Sequence, residues 1–217
     1  LIKSHDRVYI QGSTSIPEVL LDALTARGNE LEGVELYSAF AVGRREAPYA
    51  VTELRDAFIT CSLFLANCLR KAIDRGEAQL IPVFLGEAPA LFREGYLPLD
   101  VSLLNVSPPN EDGYCSFGIS ADLAVSAVEC SKTIIAQVNK QMPFSYGDAL
   151  IHISELAACV EVDDPLMVVP SVTPSEQEKK IGQYIAEQIP DGATLQIGVG
   201  GIPNAVLGAL HNHKDLG

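Results

Sequence analysis

The sequence contains no tryptophan and no pair of cysteines separated by only two residues. Its five cysteines are odd in number and irregularly spaced, at positions 61, 68, 115, 130 and 159. Disulfide frameworks and structural zinc sites need regular cysteine spacing, so this pattern disfavours both. It is typical of a reducing compartment, and we therefore expect a cytoplasmic protein.

Positive charge is also scarce. Lysine and arginine together number 15 against 28 acidic residues, which gives a formal net charge of −13. No cluster of basic residues offers a face for phosphodiesters, so we expect no nucleic-acid partner. A small anionic ligand stays compatible with this charge, because backbone N–H groups can bind an anion without basic side chains.

The chain lacks an apolar run long enough to span a bilayer, and it lacks a signal peptide. We therefore expect no membrane partner. The first residue is Leu1 and not methionine. We expect the sequence to begin within a longer polypeptide, and whether a targeting segment precedes Leu1 is left open.

Several side chains that could react or bind a metal lack the neighbouring residues that such a role requires. Cys115 has no neighbouring histidine or asparagine in the sequence to activate it, so we do not assign it as a nucleophile. His211 and His213 lack further nearby ligands, so no metal site is predicted. The pair Asp163–Asp164 is interpreted as a solvated turn.

Alternating strand and helix patterns fill the first three quarters of the chain. Residues 7–11, 17–27 and 34–38 predict a β-α-β unit. Further strands are predicted at 79–85, 101–107 and 133–138, and helices at 60–75 and 119–130; the helix at 60–75 would carry Cys61 and Cys68 on one face. The pattern predicts an α/β fold with an open, mostly parallel sheet and flanking helices.

The domain organisation follows from composition. We predict an N-terminal α/β domain over residues 1–164 and a proline-containing linker over 165–172. A second, similar domain begins at 173 and is incomplete at 217. Its first helix is capped by Thr173 or Ser175, with acidic residues in the first turn.

The segment 195–207 is the sharpest signal. It is interpreted as an apolar strand at Leu195–Ile197, the turn Gly198-Val199-Gly200-Gly201, and a helix that includes Ile202. Such a junction presents backbone N–H groups at the positive end of a helix dipole. Pro203 stands where a dinucleotide fingerprint needs a third glycine, and the Gly-Lys-Ser/Thr ending of a P-loop is absent. These absences leave two interpretations open: a binding site for a phosphate, coenzyme A (CoA) or an oxyanion, or a turn that binds no ligand.

Three further loops follow predicted strands, at 12–15, 107–120 and 142–148. Ligands bind at this position in open α/β sheets. The loop 107–120 could equally be structural, and the loops 12–15 and 142–148, taken alone, are interpreted as structural.

Together, these motifs resemble the acetyl-CoA hydrolase/transferase family, especially its 4-hydroxybutyrate and butyryl-CoA:acetate CoA-transferases. The resemblance rests, in that order, on 12–17, 107–120, 135–139 with 142–143, and 196–207 with 213–217. It implies two related α/β domains with CoA between them, acyl-CoA and a short-chain carboxylate (acetate, butyrate or 4-hydroxybutyrate) as substrates, and no tightly bound cofactor. It also implies CoA contacts at Gly198, Val199, Gly200, Gly201 and Ile202.

The family resemblance implies ping-pong catalysis through a glutamyl-CoA thioester. The nucleophilic glutamate of the family follows the segment that corresponds to His213–Gly217, so we expect it just after Gly217 and assign no catalytic residue in this chain. Glu18, Glu111 and Glu155 are not assigned that role. We expect a homo-oligomer, or association with the missing C-terminal part. Acyl-CoA hydrolysis and a non-catalytic CoA-binding fragment or subunit stay open as alternatives.

Overall fold

The computed structural model describes residues 1–43, 45–65, 67–170 and 173–217. They form two compact units, Leu1–Val168 (unit 1) and Val169–Gly217 (unit 2). Residues 171 and 172, which end the predicted linker 165–172, lie outside the described residues, as does residue 66 of the predicted helix 60–75. Among the described residues, no helix combines the length and apolar character needed to cross a membrane.

Unit 1 is built on a parallel sheet. Its strands are β1 (Arg7–Ile10), β2 (Val34–Ala39), β3 (Phe58–Phe64), β4 (Gln79–Leu80), β5 (Leu99–Val106), β6 (Tyr114–Ser116), β7 (Ser131–Asn139), β8 (Leu150–His152) and β9 (Ala158–Val162). Seven of them pair in the order β4-β3-β2-β1-β5-β7-β9, and every pair is parallel. The predicted parallel α/β sheet is confirmed. Strands β6 and β8 form a separate antiparallel pair.

Helices cover both faces of this sheet. They are α1 (Glu18–Ala26), α2 (Asn67–Asp74), α3 (Ala88–Arg93) and α4 (Ala124–Cys130). Successive strand residues point to opposite faces, so Val8 and Ile10 of β1 pack with α1 and α2, whereas Tyr9 packs with α3 and α4. Because both faces are buried, the strands are nearly continuous apolar runs.

Some predicted elements are wrong. Residues 60–64, the predicted start of a helix, belong to β3, because a short apolar run buried on both faces has no helical period. Cys61 therefore lies on β3 and Cys68 on α2. The predicted strand 79–85 is confined to Gln79–Leu80, since Pro82 cannot donate to a ladder. The predicted helix 119–130 begins only at Ala124.

Unit 2 contains two helices, α5 (Glu176–Ala186) and α6 (Gly201–Ala209). Ser175, as predicted, caps α5: its side chain accepts from the Glu178 N–H, and the Glu178 carboxylate accepts from the Ser175 N–H. The helices pack closely at Gly182, where a Cβ atom would lie 2.7 Å from the Ala205 carbonyl carbon.

The predicted strand at Leu195–Ile197 is not formed in the described part of unit 2, where Gly217 is the residue that bonds to the backbone of this stretch. The Gly217 N–H donates to the Ala193 carbonyl (3.0 Å), and the Leu195 N–H donates to the Gly217 carbonyl (2.8 Å). These two bonds have the pattern of a parallel pair.

Candidate functional site

The glycine turn of unit 2 leads directly into α6. Gly200 is the residue before the helix, at φ 145° and ψ 176°, a conformation that residues with a Cβ rarely adopt. A Cβ on Gly198 would meet no atom within 4 Å, and Val199 is 93% exposed. The turn is therefore an open surface at which an incoming ligand can approach the backbone closely.

The N-terminus of α6 has free hydrogen-bonding capacity. In the described part of the chain, no side chain caps it. The first N–H groups of a helix have no partner within the helix, and they carry the positive end of its dipole. Here they belong to the glycine turn and to Ile202, so the backbone can receive a phosphate oxygen or the oxyanion of a reacting carbonyl.

One carboxylate lies beside this turn. A Cβ added to Gly201 would be 1.9 Å from Glu178 Oε1, so only glycine leaves room for that side chain in its present position. The other oxygen of Glu178 accepts from the N–H (2.7 Å) and the hydroxyl (2.8 Å) of Ser175. These bonds lower the pKa of Glu178 and keep it ionised. An anion at the turn thus meets a helix dipole that attracts it and one carboxylate that repels it.

An apolar groove of about 220 Å³ runs alongside the turn. It is lined by aliphatic side chains together with Gly198, Gln196 and Pro203; the aliphatic ones are Ile185, Ile189, Leu195, Ile197, Ile202 and Val206. A groove of this composition accepts the apolar part of a ligand whose charged part binds the backbone.

A second candidate region lies in unit 1, between the adjacent strands β1 and β5, where the order of the strands in the sheet changes direction. Gln11 follows β1 there and is fully buried. Its Nε2 donates to the carbonyls of Phe117 (3.1 Å) and Ser120 (2.8 Å), and its Oε1 accepts from the Asn105 N–H (2.7 Å). The adjacent loop 12–15 is predictable from the sequence, whereas the role of Gln11 is not, because its partners are remote in sequence.

The loop 12–15 is tightly constrained. A Cβ on Gly12 would lie 1.9 Å from the Ala39 carbonyl oxygen, and Ser13 adopts a positive φ of 53°. Asp122 is an exposed residue near Gly12. The protein around its carboxyl group nevertheless removes water from it, and this desolvation raises the pKa of Asp122.

Serine hydroxyls join the other two predicted loops, 107–120 and 142–148. Ser116 Oγ accepts from the N–H groups of Gly118 (2.9 Å) and Ser145 (3.0 Å), and Ser145 Oγ donates to the Gly118 carbonyl (2.8 Å). Cys115 lies in this region and is fully buried, which raises the pKa of its thiol. These contacts give both loops a structural role.

A small cavity opens at the carboxyl ends of β1, β5 and β7, on the α1 face of the sheet. Its wall includes Thr14, Ile16, Val42, Asn105 and Asn139, and its volume is about 10 Å³. Asn105 and Asn139 are 3% and 1% exposed. The sequence assigns neither residue a role, although Asn139 ends the segment 135–139 that carries part of the family resemblance, since an asparagine at a strand end is an ordinary turn signal.

The remaining candidates make local contacts within their own unit. His213 Nε2 lies 2.9 Å from the Ile189 carbonyl, and His211 Nδ1 lies 3.1 Å from the Gly208 carbonyl. Glu155 accepts from the His152 N–H at the start of a helical turn. Within the described ranges, no three histidine, cysteine, aspartate or glutamate side chains form a group that could hold a metal ion.

The fold defines a class: an open parallel α/β protein, here with a glycine turn that leaves backbone N–H groups open at the start of α6. The family model of the acetyl-CoA hydrolase/transferase N-terminal domain matches residues 1–173. The chain belongs to this family, which confirms the resemblance that the motifs suggested.

Relatives of known name agree with this assignment. The chain is 41% identical to a 4-hydroxybutyrate coenzyme A transferase of Clostridium kluyveri, and 30% identical to a butyryl-CoA:acetate CoA-transferase of Anaerostipes caccae. Each alignment covers 100% of this chain and 50% of the relative, so the chain spans about half the length of the curated relatives it matches.

Solved structures give the same result. A 4-hydroxybutyrate CoA-transferase from Porphyromonas gingivalis is similar with a TM-score of 0.79 and 39% identity, over 99% of this chain and 49% of that one. RipA from Yersinia pestis is similar with a TM-score of 0.89 and 30% identity, over 100% of this chain and 52% of that one.

Proposed function

We propose that this chain is the N-terminal part of a CoA-transferase that moves CoA between an acyl-CoA and a short-chain carboxylate. The observation that carries the proposal is the open turn of Gly198, Val199, Gly200 and Gly201 before α6, with Ile202 in the first helical turn. Family membership and the names of the relatives support CoA thioesters as the substrates.

The proposed reaction is a ping-pong exchange on a glutamate. The glutamate carboxylate attacks the thioester carbonyl carbon; the C–S bond breaks, and CoA leaves as a thiolate from an acyl-glutamyl anhydride. The thiolate then attacks the glutamyl carbonyl, which releases the first acid and forms a glutamyl-CoA thioester. The acceptor carboxylate reverses these steps and leaves as the new acyl-CoA, with no net oxidation or reduction.

In this scheme, the glycine turn holds the oxyanion that forms at each attack. Backbone N–H groups aimed at such an oxygen contribute about 3 kcal/mol each in other enzymes. The adjoining apolar groove, lined by Ile185, Ile197 and Ile202, would receive an apolar part of the thioester. Glu178 would set an upper limit on how strongly anions bind, since its charge opposes theirs.

We place the nucleophilic glutamate a few residues after Gly217. The parallel pairing of Gly217 with Ala193 and Leu195 supports this position. A strand that continued from Gly217 beside Ala193–Ile197 would end at the same edge as the glycine turn, because parallel strands share their carboxyl edge. A glutamate there would stand next to the turn.

The proposal extends to the organisation of the whole protein. We propose two related α/β domains, over residues 1–164 and from residue 173 onward, joined by the linker 165–172. The cysteine pattern supports a cytoplasmic location. By family resemblance, the protein works as a homo-oligomer or together with the C-terminal part.

The test uses the protein extended beyond Gly217, in an assay of exchange between an acyl-CoA and labelled acetate. We expect exchange by the longer protein, none by residues 1–217 alone, and a CoA adduct on one glutamate by mass spectrometry. Gly200→Ala should lower kcat/KM at least tenfold, because alanine cannot hold φ 145° without strain. Gly192→Ala is the control, with positive φ and open space around it.

Three results would contradict the proposal. Exchange by the 217-residue chain alone would remove the argument for a nucleophile after Gly217. Release of free CoA without any dependence on acetate would identify a hydrolase. Binding of CoA without any turnover by the longer protein would favour a non-catalytic CoA-binding subunit.

A further inference from the structure

We propose that an apolar surface at the β4 edge of unit 1 is the surface through which two copies of this chain associate. The surface, called the β4 patch below, consists of Phe64, Leu80, Pro82, Val83, Phe84 and Leu85. This contact rests on the homo-oligomer of the proposed function and is independent of its CoA chemistry. All six residues lie in unit 1, so the patch is complete within one compact unit.

The β4 patch forms where two uncharged segments of the chain lie side by side. Residues 57–65, which include β3, and residues 78–86, which include β4, contain no acidic or basic side chain. The two strands are paired, and the Ile81 N–H extends the pairing by donating to the Ser62 carbonyl at 2.8 Å. Because the chain carries a net charge of −13, two copies repel each other through most of their surfaces, and an uncharged edge is where they can approach.

The exposed apolar area of the patch has the size that a dimer interface needs. Phe84 is 79% exposed, Leu85 55%, Phe64 46% and Leu80 43%. At about 200 Å² for a fully exposed large side chain, these four expose about 400 Å² of apolar surface. A standard interface buries about 800 Å² on each partner, of which somewhat more than half is apolar. The β4 patch therefore supplies nearly all the apolar area of one side of such an interface.

The shape of the patch favours a second copy over an unrelated partner. A groove of about 530 Å³ runs along it, and Glu87 is the charged residue among those that line it. The Phe84 ring forms part of the wall and exposes most of its surface. Under two-fold symmetry each copy offers the same ring and the same groove, so each Phe84 can enter the groove of the other copy. We expect side chains to carry this contact, because β4 has two residues and Pro82 has no N–H to extend a ladder.

The test measures the oligomeric state of the full-length protein by sedimentation velocity over a range of concentrations. We expect a dimer for the wild type. Phe84→Glu should raise its dissociation constant at least about thirtyfold, because each copy then places a charge in an apolar contact. Since Phe84 is largely exposed in a single copy, this variant should keep the circular dichroism spectrum of the wild type. Tyr146→Glu is the matched control: it changes an aromatic residue that is 91% exposed in the loop 142–148, and it should stay dimeric.

A second measurement needs no variant and therefore no assumption about folding. Hydrogen exchange in residues 79–86 of the wild type should accelerate when the protein is diluted below the dissociation constant of the dimer. A dimer that persists in Phe84→Glu, with exchange in 79–86 independent of concentration, would overturn this inference alone. Protection of 79–86 in a monomer would also overturn it and would assign the patch to another part of the same polypeptide. A monomer at every concentration, without such protection, would overturn the proposed homo-oligomer as well, whereas the CoA chemistry is tested separately by the exchange assay.

Discussion

Backbone polar groups are bonded to a buried side chain at the carboxyl edge of the unit 1 sheet, whereas they are left open at the glycine turn of unit 2. In unit 1, Gln11 is fully buried and joins carbonyl groups 106 and 109 residues away along the chain. In unit 2, the turn is open, and the nearby cap of Ser175 and Glu178 spans three residues. The first arrangement builds a rigid edge from remote contacts; the second leaves backbone N–H groups accessible to a ligand.

The start of each unit's first helix shows the same contrast. The N-terminal turn of α1 has no side-chain cap from its own N-cap residue, and Gln137 of β7 accepts from its Val19 N–H instead. Helix α5 is capped locally by Ser175. Substitutions in unit 1 should therefore disturb distant elements, whereas those in unit 2 should act locally.

The largest expected effect is that of Gln11→Ala. The change leaves the Asn105 N–H and the Phe117 and Ser120 carbonyls without this partner in a buried place, at a cost of about 4 kcal/mol in the free energy of unfolding. Urea unfolding of the 217-residue chain measures it. Gln141→Ala, at an exposed glutamine, is the control. Equal losses in the two variants would show that the remote contacts of Gln11 do not stabilise unit 1.

An effect of similar size, divided between two thiols, is expected from alkaline pH. Burial raises the pKa of the Cys61 and Cys68 thiols to about 11, above the ordinary value of 9.0. Below pH 9 both states keep these protons; between pH 9 and 11 the unfolded chain releases them while the folded chain retains them. The free energy of unfolding should therefore fall as pH rises, by about 2 kcal/mol per thiol at pH 10.5.

Urea unfolding at pH 8 and pH 10.5 checks this prediction. The double variant Cys61→Ala/Cys68→Ala should lose less stability between the two pH values than the wild type does. Cys159→Ala, at an exposed cysteine, should behave like the wild type. The segment 173–217 contains no cysteine, so its unfolding should not share this pH dependence. The same loss in the double variant as in the wild type would rule out the thiols as its cause.

The smallest effect is expected from Ser175→Ala in unit 2. Loss of an N-cap hydroxyl costs about 1 kcal/mol. Because the cap is local, hydrogen exchange should accelerate in the first turn of α5 and stay unchanged in the sheet of unit 1. Gln177→Ala, one exposed position inside the helix, should change neither. Faster exchange in the sheet after Ser175→Ala would contradict the contrast between the units.

Much of the fold could be predicted from sequence where the pattern is local. The β-α-β unit over residues 7–38 is confirmed, because β1, α1 and β2 are separated by clear turn signals. The predicted helix is wrong over residues 60–64, since an apolar run buried on both faces has no distinctive period.

The candidate site likewise has one part that is predictable from local sequence and one part that is not. The glycine turn is evident in the sequence, because glycines between an apolar segment and a helix have a direct conformational meaning. Its CoA contacts remain a prediction. The Asn105 cavity was not predictable, since it depends on β5 lying between β1 and β7.

The sequence by itself determined the parallel α/β class, a cap for α5 at Thr173 or Ser175, and the glycine turn, because each follows from patterns that lie within single elements and turns. Only the tertiary structure decided where Gln11 finds its partners. Hydrogen bonds of buried side chains depend on strand order, and strand order joins residues about 100 positions apart.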